Sequence, residues 1–515
     1  MSRTSKFIRN AWASALYQIT IMITGFILPR IMLSYYGSEV NGLVSSITQF
    51  VNYMTLVEAG LSGATIYALY KPLADNDKKE ISRIVVASKH FYTISGWIFV
   101  ILVSLLSIIY PIFVTSNNFN RLQISILIMI IGVNGALEFF TLGKYRAILT
   151  ADQKQFIIAL SSMLYSILNV IIIAIFAHLG FSIIIARFAA IFAVFLRTFI
   201  LSYYCKKNYP YLDYSVSPNN EALNKRWDAL FLQILGTIHT GAPVILATML
   251  TSLVEVSIYA VYNMVVTGIN SVLSIFNSGL GAGFGDLIAR GEKENYQRAY
   301  QEFEYFYYSI ITVIYSVGMV QILPFLSIYT KGINDVNYIQ PLLGFLFILN
   351  GYLYNIKTPQ GMLVISAGLY KETKVQTSIQ ALISVCAGFV FGKMWGIPGI
   401  ILGMILSNIY RDIDLLFFIP KYVTGLPYKE TLLNIILSFT EGIIIIFIGE
   451  RIPGFNSGLL GWCIKSIIIS FIGLLVIIMF GWIFRKNLLI RISVRINNSF
   501  RHHTKKQFTN NVNNS

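Results

Sequence analysis

The 515-residue chain is poor in charge: Asp, Glu, Lys and Arg make up only 12% of it, against about 25% in soluble domains. Hydrophobic residues reach 56%, which excludes a soluble globular protein. Cysteine is scarce too. Cys205, Cys386 and Cys463 are scattered, and an odd set without paired spacing provides neither a disulfide framework nor a metal or redox centre. No Gly-Lys-Ser/Thr phosphate loop is present, so ATP hydrolysis is not the expected energy source. The loops are too short for a soluble active site. We therefore expect no catalytic constellation, no cofactor, no metal site and no enzyme.

What is abundant is apolar sequence. A membrane-spanning helix needs about 20 mostly apolar residues. Fourteen such runs can be drawn, at 10–33, 40–70, 84–114, 122–145, 156–178, 182–204, 229–253, 256–284, 303–328, 342–366, 376–395, 398–420, 431–449 and 460–484. They are called spans 1 to 14 below. The expected fold class is an all-α polytopic membrane protein. The basic start "MSRTSKFIRNAW" precedes a run too long for a cleaved signal peptide and with no small-residue cleavage site, so it reads as an uncleaved first span.

The net charge of +16 could suggest nucleic acid, but the position of the charges argues otherwise. Alternate loops, taken from the N-terminus, hold 28 of the 39 Lys and Arg residues, while the opposite loops hold only Arg121, Lys331 and Arg451. Such a bias is the signature of cationic loops kept in the cytoplasm. It predicts both termini on the cytoplasmic side of a bacterial cytoplasmic membrane, and no nucleic-acid partner. Membrane lipids are expected partners, because the basic tail 485–515 reads as an anchor to anionic lipid followed by disorder.

The longest connection, 205–228, divides the chain. It separates an N-terminal lobe, 1–204 with spans 1–6, from a C-terminal lobe, 229–420 with spans 7–12; 421–484 holds spans 13 and 14. Sliding one lobe on the other by 216 residues aligns Thr24 and Gly25 with Thr240 and Gly241, Glu39 and Val40 with Glu255 and Val256, and Ser62 and Gly63 with Ser278 and Gly279. Two parallel six-helix repeats with a site between them are a recurrent transporter design. Spans 13 and 14 fall outside the repeat.

Charges inside spans are the functional candidates, since a central Arg, Lys or Asp costs about 2.5–3.5 kcal/mol to insert. The cations singled out are Arg30, Arg187, Arg197, Lys357, Lys393, Arg411 and Lys465; the anions singled out are Glu58, Glu138, Asp412, Asp414 and Glu441. Lys393 and Lys465 lie near span ends and can snorkel to the interface; Lys465 can alternatively pair with Glu441. Arg411 has Asp412 and Asp414 beside it. Arg187 is near the end of span 6, where anchor and ligand contact are both open. Arg197 and Lys357 lie deeper. In "LPRIMLSYYG", Pro29 removes an amide and crowds the carbonyl of Gly25, so a bend is expected. Arg30 either anchors at the interface beside Tyr35 and Tyr36 or contacts a ligand. In the second lobe, Ile245 and Leu246 replace Pro29 and Arg30, which favours the ligand contact. Small-residue pairs, Ala59 with Gly63, Gly60 with Ala64, Ser278 with Ala282 and Gly279 with Gly283, allow close helix approach, for packing or for a gate.

The stretches "LPRIMLSYYGSEVNGL" and "VEAGLSGA", with "CKKNYPYLDYS", "EVSIYAVYNMV" and "RDIDLLFFIPKY", resemble those of bacterial polysaccharide flippases, a branch of the superfamily of multidrug, oligosaccharidyl-lipid and polysaccharide exporters. The resemblance covers spans 1–12 and implies two six-helix lobes around a central cavity. It implies outward movement, by alternating access, of undecaprenyl-diphosphate-linked glycan for capsule, exopolysaccharide or O-antigen assembly, with a polymerase and glycosyltransferases as partners. Arg30 matches the family's span 1 arginine, Glu58 its span 2 acid and Arg411 a basic position in span 12. Many relatives have an acid in span 7, where this chain has Gly241 and Ala242.

A diphosphate calls for multidentate cations. The expected substrate contacts are Arg30, Arg187, Arg197, Lys357 and Arg411, with Glu58 and Glu138 as gate partners or proton carriers. The alternatives are a lipid II flippase and a cation-coupled multidrug exporter. The second fits less well, because span 1 contains no acid.

Overall fold

The computed structural model describes residues 3–58, 61–220, 226–278, 280–369, 371–454 and 458–494. Every expected run falls on a helix or on consecutive helices, and no strand occurs among the described residues. Ten helical stretches among the described residues are individually long and apolar enough to cross a membrane. In hydrocarbon every backbone N–H and C=O must be satisfied within the segment, and helices do so. Residues such as Ile108, Phe188, Ile443 and Ile467 are each more than 60% exposed, as lipid-facing side chains are.

Helix ends follow local chemistry. Asp77 caps the helix Lys78–Phe113 by accepting from Glu80 N at 3.0 Å. Asn120 and Gln123 form a reciprocal capping box at Arg121–Leu137. The first helix, Arg3–Met54, continues through Pro29, and its one residue with non-helical dihedrals is Gly37, at φ 83° and ψ 172°. That backbone conformation strains any L side chain and favours glycine. The break between spans 1 and 2 therefore falls at Gly37, inside the interval 34–39 left between them.

The chain forms two compact units. The first comprises Met1–Ser271, Gly332–Asn337 and Ala381–Met404; the second comprises Val272–Lys331, Tyr338–Gln380 and Ile405–Ser515. These units cross the lobe boundary drawn from the sequence, since span 7, most of span 8 and span 11 pack with the first unit.

In the first unit, Asn10 on span 1 donates to Gln153 O at 2.8 Å and accepts from Phe156 N at 2.9 Å, tying the N-terminus to the turn before span 5. Span 2 runs against spans 7 and 8. Asn41 donates to Ser257 Oγ at 2.7 Å, Thr248 to Ser46 Oγ at 2.8 Å and Tyr53 to Ile238 O at 3.1 Å. Gly42 lies so close to the Leu253 carbonyl that a Cβ there would overlap it. Asn41 and Ser257 are 216 residues apart, the offset that aligned the two repeats.

In the second unit, span 9 (Lys293–Tyr329) is the post to which spans 13 and 14 are fastened. Gln321 Nε2 donates to Trp462 O and Ser466 Oγ, each at 3.0 Å, and Trp462 Nε1 returns a bond to Gln321 O at 3.0 Å. Ser438 of span 13 lies 2.5 Å from the hydroxyls of both Thr312 and Tyr352. The expected Glu441–Lys465 pair does not form. Glu441 lies one turn from Ser438, on the face turned to spans 9 and 10, and its Oε1 is buried without a hydrogen-bond partner. Span 14 also turns its polar edge, Trp462 and Ser466, to span 9.

Candidate functional site

In the first unit a charged cluster forms where span 4 is irregular. The helix Arg121–Leu137 passes into a π turn, Glu138–Leu142, before the short helix Gly143–Ala151. A π turn takes up one residue more than an α turn, which brings Glu138 and Arg146 onto one face. Arg146 Nη1 hydrogen-bonds Glu138 Oε1, and Arg197 Nη2 approaches the same oxygen at 3.9 Å. Glu58, ending the 3-10 turn Thr55–Glu58, lies within electrostatic range of Glu138 and Arg146. Glu58, Glu138 and Arg197, singled out from sequence, thus meet at one place.

Arg146 is the member of the cluster that sequence reasoning misses. With Lys144 and Lys154 it reads as a loop charge, because a π turn has no sequence signal that would align it with Glu138. Arg187 is placed on the same span as Arg197, in electrostatic range of Tyr36 and Tyr165. The Arg197 guanidinium is 5.7 Å from the Tyr165 ring centroid. The Nε donors of Arg187 and Arg197 and Oδ1 of Asn134 are buried without hydrogen-bond partners, which is costly for groups of this kind. Two carboxylates and three guanidiniums leave this region cationic.

Glu138→Gln removes the negative charge that two guanidiniums share. The sides of the Arg146–Glu138 pair are 39% and 31% exposed, so solvent screening limits the coupling. A double-mutant cycle with Arg146→Gln, read by thermal unfolding, is expected to give about 1 kcal/mol of coupling. A coupling of zero would show that the two groups do not act as a pair.

A cavity of about 260 Å³ opens in the same unit between spans 1, 2, 7 and 8. Its polar lining is neutral, with Ser45, Gln49, Tyr259, Asn263 and Thr267, and Phe26 is its aromatic wall on span 1; among the described residues no charged side chain lines it. Arg30 follows Phe26 by one turn on the same helix and is half-buried. Gly241 of span 7 is closely packed. A Cβ on Gly241 would collide with Gln49 and Tyr53 of span 2, so no larger side chain fits there without rearrangement.

In the second unit span 10 breaks at Lys357, between Pro341–Ile356 and Thr358–Ser366, with Pro359 opening the second piece. Lys357 Nζ hydrogen-bonds Asn408 Oδ1, and Asn408 Nδ2 donates to Asn350 Oδ1 at 2.9 Å. The ammonium also lies 4.7 Å from the Tyr354 ring centroid. One turn beyond Asn408, Asp412 faces the Lys357 charge, and both its carboxylate oxygens are buried without a hydrogen-bond partner. Arg411, 7% exposed, bridges Asp414 at 2.5 Å. Each buried cation of this unit's site therefore has a carboxylate nearby. Of the small-residue pairs, Ala59, Gly60 and Gly279 lie outside the described residues, as do the side chains of Ser278 and Ala282 and the tail 495–515. No group of three His, Cys, Asp or Glu residues with metal-binding geometry occurs among the described residues.

A comparison of the sequence with family models finds no match, and a comparison with curated proteins finds none either. The structure, in contrast, resembles solved transporters. The lipid II flippase MurJ in an inward closed conformation superposes with a TM-score of 0.70 at 15% identity, over 92% of this chain and 100% of that one. An inward-facing multidrug-resistance MATE transporter of the MOP superfamily gives 0.64 at 16% identity, over 78% and 96%. A MOP superfamily transporter from Pyrococcus furiosus, described as having a binding pocket of reverse polarity, gives 0.60 at 15% identity, over 81% and 97%. The chain is a multi-pass membrane protein with the fold of these transporters and flippases.

Proposed function

We propose that the protein is a flippase that moves undecaprenyl-diphosphate-linked oligosaccharide from the cytoplasmic to the outer leaflet by alternating access, for cell-surface polysaccharide assembly. The observation that carries this reading is the cavity between spans 1, 2, 7 and 8: amide, hydroxyl and aromatic groups line it, and no acid does among the described residues. Such a lining suits the hydroxyls and apolar faces of a sugar. An exporter of organic cations would need a carboxylate there. Arg30, Arg187 and Arg197 supply forked donors for the diphosphate, with Glu58 and Glu138 as the acids that can release or hold them. In the second unit, Lys357 and Arg411 are the further candidate substrate contacts, each with a carboxylate nearby.

The lipid II flippase is a second reading, supported by a fold likeness that extends over 92% of the chain. Both readings place the N-terminal face in the cytoplasm of a bacterial cell, with the inner or plasma membrane as the site of action. An inside-negative potential favours outward movement of negative charge by about 2.3 kcal/mol per charge per 100 mV, and a diphosphate carries two.

Expression in a strain lacking its polysaccharide flippase tests the reading. The chain is expected to restore surface glycan, while Arg30→Gln and Arg197→Gln fold normally and cut export. Full complementation by both variants sinks the site assignment. Rescue of a lipid II flippase depletion without rescue of surface glycan selects the second reading. In sealed vesicles, collapsing the potential at constant ion gradients is expected to slow flipping.

A further inference from the structure

On the face that carries the N-terminus, the first unit holds a second cationic feature that the transport reading does not use. Residues 209–220 fold back over the ends of spans 3, 4 and 6 and are pinned at several points. Tyr209 donates to Asp152 at 2.7 Å, Asp213 N to Ser82 Oγ at 3.2 Å, and Asn219 Nδ2 to Glu80 at 2.6 Å. The segment thereby holds Tyr214 between two lysines. Lys89 Nζ is 5.3 Å and Lys144 Nζ 5.1 Å from the Tyr214 ring centroid. Lys144 is also 4.9 Å from the ring of Tyr145, and Lys206 adds a third ammonium close enough to repel Lys144.

Loop lysines that only orient a membrane protein can spread into solvent. These three instead converge from three helices while like charges oppose it. None of them has a carboxylate within ion-pair distance among the described residues. The neighbouring acid, Asp213, is occupied by its own loop, accepting from Ser215 N at 2.9 Å and Ser215 Oγ at 2.6 Å. Ring contacts offset part of the repulsion. Lys206 also has an ordinary role in the last turn of its helix, where a cation suits the C-terminal dipole. That role does not account for Lys89 or Lys144.

We propose that Lys89, Lys144 and Lys206, with the Tyr214 hydroxyl, form a binding site for a phosphate oxyanion at the membrane surface. Ammonium groups act on phosphate as point charges with several donors, and one dianion would relieve the repulsion among all three. A lipid headgroup and a free or lipid-linked diphosphate share this chemistry. The site stands apart from the charged cluster at Glu138, and it does not depend on the flippase reading.

The test uses the full chain. Inorganic pyrophosphate is titrated calorimetrically onto protein in neutral detergent, and retention of phosphatidylglycerol is measured by native mass spectrometry. Both are repeated with Lys89→Gln/Lys144→Gln/Lys206→Gln and with Lys71→Gln/Lys79→Gln, which removes charge elsewhere on the same face. The triple variant is expected to weaken binding in at least one arm by about tenfold or more, as lost charge-assisted bonds imply, while the control stays within about twofold of the parent. Loss in the lipid arm alone identifies a headgroup site; loss in the pyrophosphate arm identifies a diphosphate site. Equal loss in the control, or no binding by the parent in either arm, overturns the proposal. If the triple variant does not fold, the exposed Lys89→Gln alone carries the same comparison.

Discussion

Glu304→Ala is expected to destabilise the second unit by about 3–5 kcal/mol, the range for stripping one partner from a buried charged network. Glu304 is 1% exposed and four side chains donate to it. Tyr300, Thr431 and Gln360 reach Oε1 at 2.6, 2.8 and 3.2 Å, and Asn434 reaches Oε2 at 2.9 Å. The donors come from spans 9, 10 and 13, so the carboxylate is the knot that holds span 13 to the rest of the unit. Alanine would take the acceptor from Tyr300, Thr431 and Asn434, while Gln360 keeps its bond to the Tyr308 hydroxyl at 2.7 Å; each buried donor left unpaired costs about 1–3 kcal/mol before relaxation. Glu304→Gln should be far milder. Its amide keeps one acceptor oxygen, and Asn434, whose Oδ1 is buried and unused, can turn over to accept from the new NH2. Thermal unfolding of detergent-solubilised protein distinguishes the two. Equal melting temperatures for the alanine and glutamine variants would show that the knot holds nothing.

Gly42→Ala is expected to prise span 2 from span 8. The added methyl would overlap the Leu253 carbonyl, and Ser257 N lies 3.1 Å from the same point. Backbone cannot rotate away as a side chain can, so about 1–3 kcal/mol of overpacking is expected, a shift of about 5- to 150-fold between packed and separated arrangements. The bonds Asn41 to Ser257 and Thr248 to Ser46 would open with it. Disulfide trapping of Asn41→Cys with Ser257→Cys, in a background where the native cysteines are serine, reads the effect. High yield with Gly42 and low yield with the alanine variant is the expected result, accompanied by loss of export. Unchanged yield would mean that the approach at Gly42 is not needed for contact between these spans.

Membrane architecture was legible in the sequence because hydrocarbon leaves few solutions: each apolar run had to be helical, and among the described residues each falls on one helix or on consecutive helices. The charge partners were less legible. Glu58, Glu138 and Arg197 could be singled out as misplaced charges, but Arg146 looks like a loop residue until the π turn at Glu138 sets its direction. Lys89 escapes notice because a lysine a few residues inside a span has an ordinary explanation. Glu304 is easily overlooked amid "QEFEYFYY", although Tyr300, four residues earlier, is spaced to meet it on one helical face. Arg411 had two candidate acids, and only the structure assigns Asp414 to it and leaves Asp412 to Lys357. Periodicity reveals which residues are buried. Which buried residues face one another depends on helix rotation, and single irregular turns decide that.

The hydrogen bond from Asn41 to Ser257 joins positions that the 216-residue alignment of the sequence treats as equivalents. In an ancestor made of two identical halves, that position would have faced itself, and any change there would have entered both sides of the contact at once. Only residues able to pair with themselves could occupy it. Joining the halves into one chain lifts that restriction. Asn on one side and Ser on the other is a pairing that a symmetric dimer could never have sampled, and it gives the two repeats freedom to diverge at the very seam along which they meet.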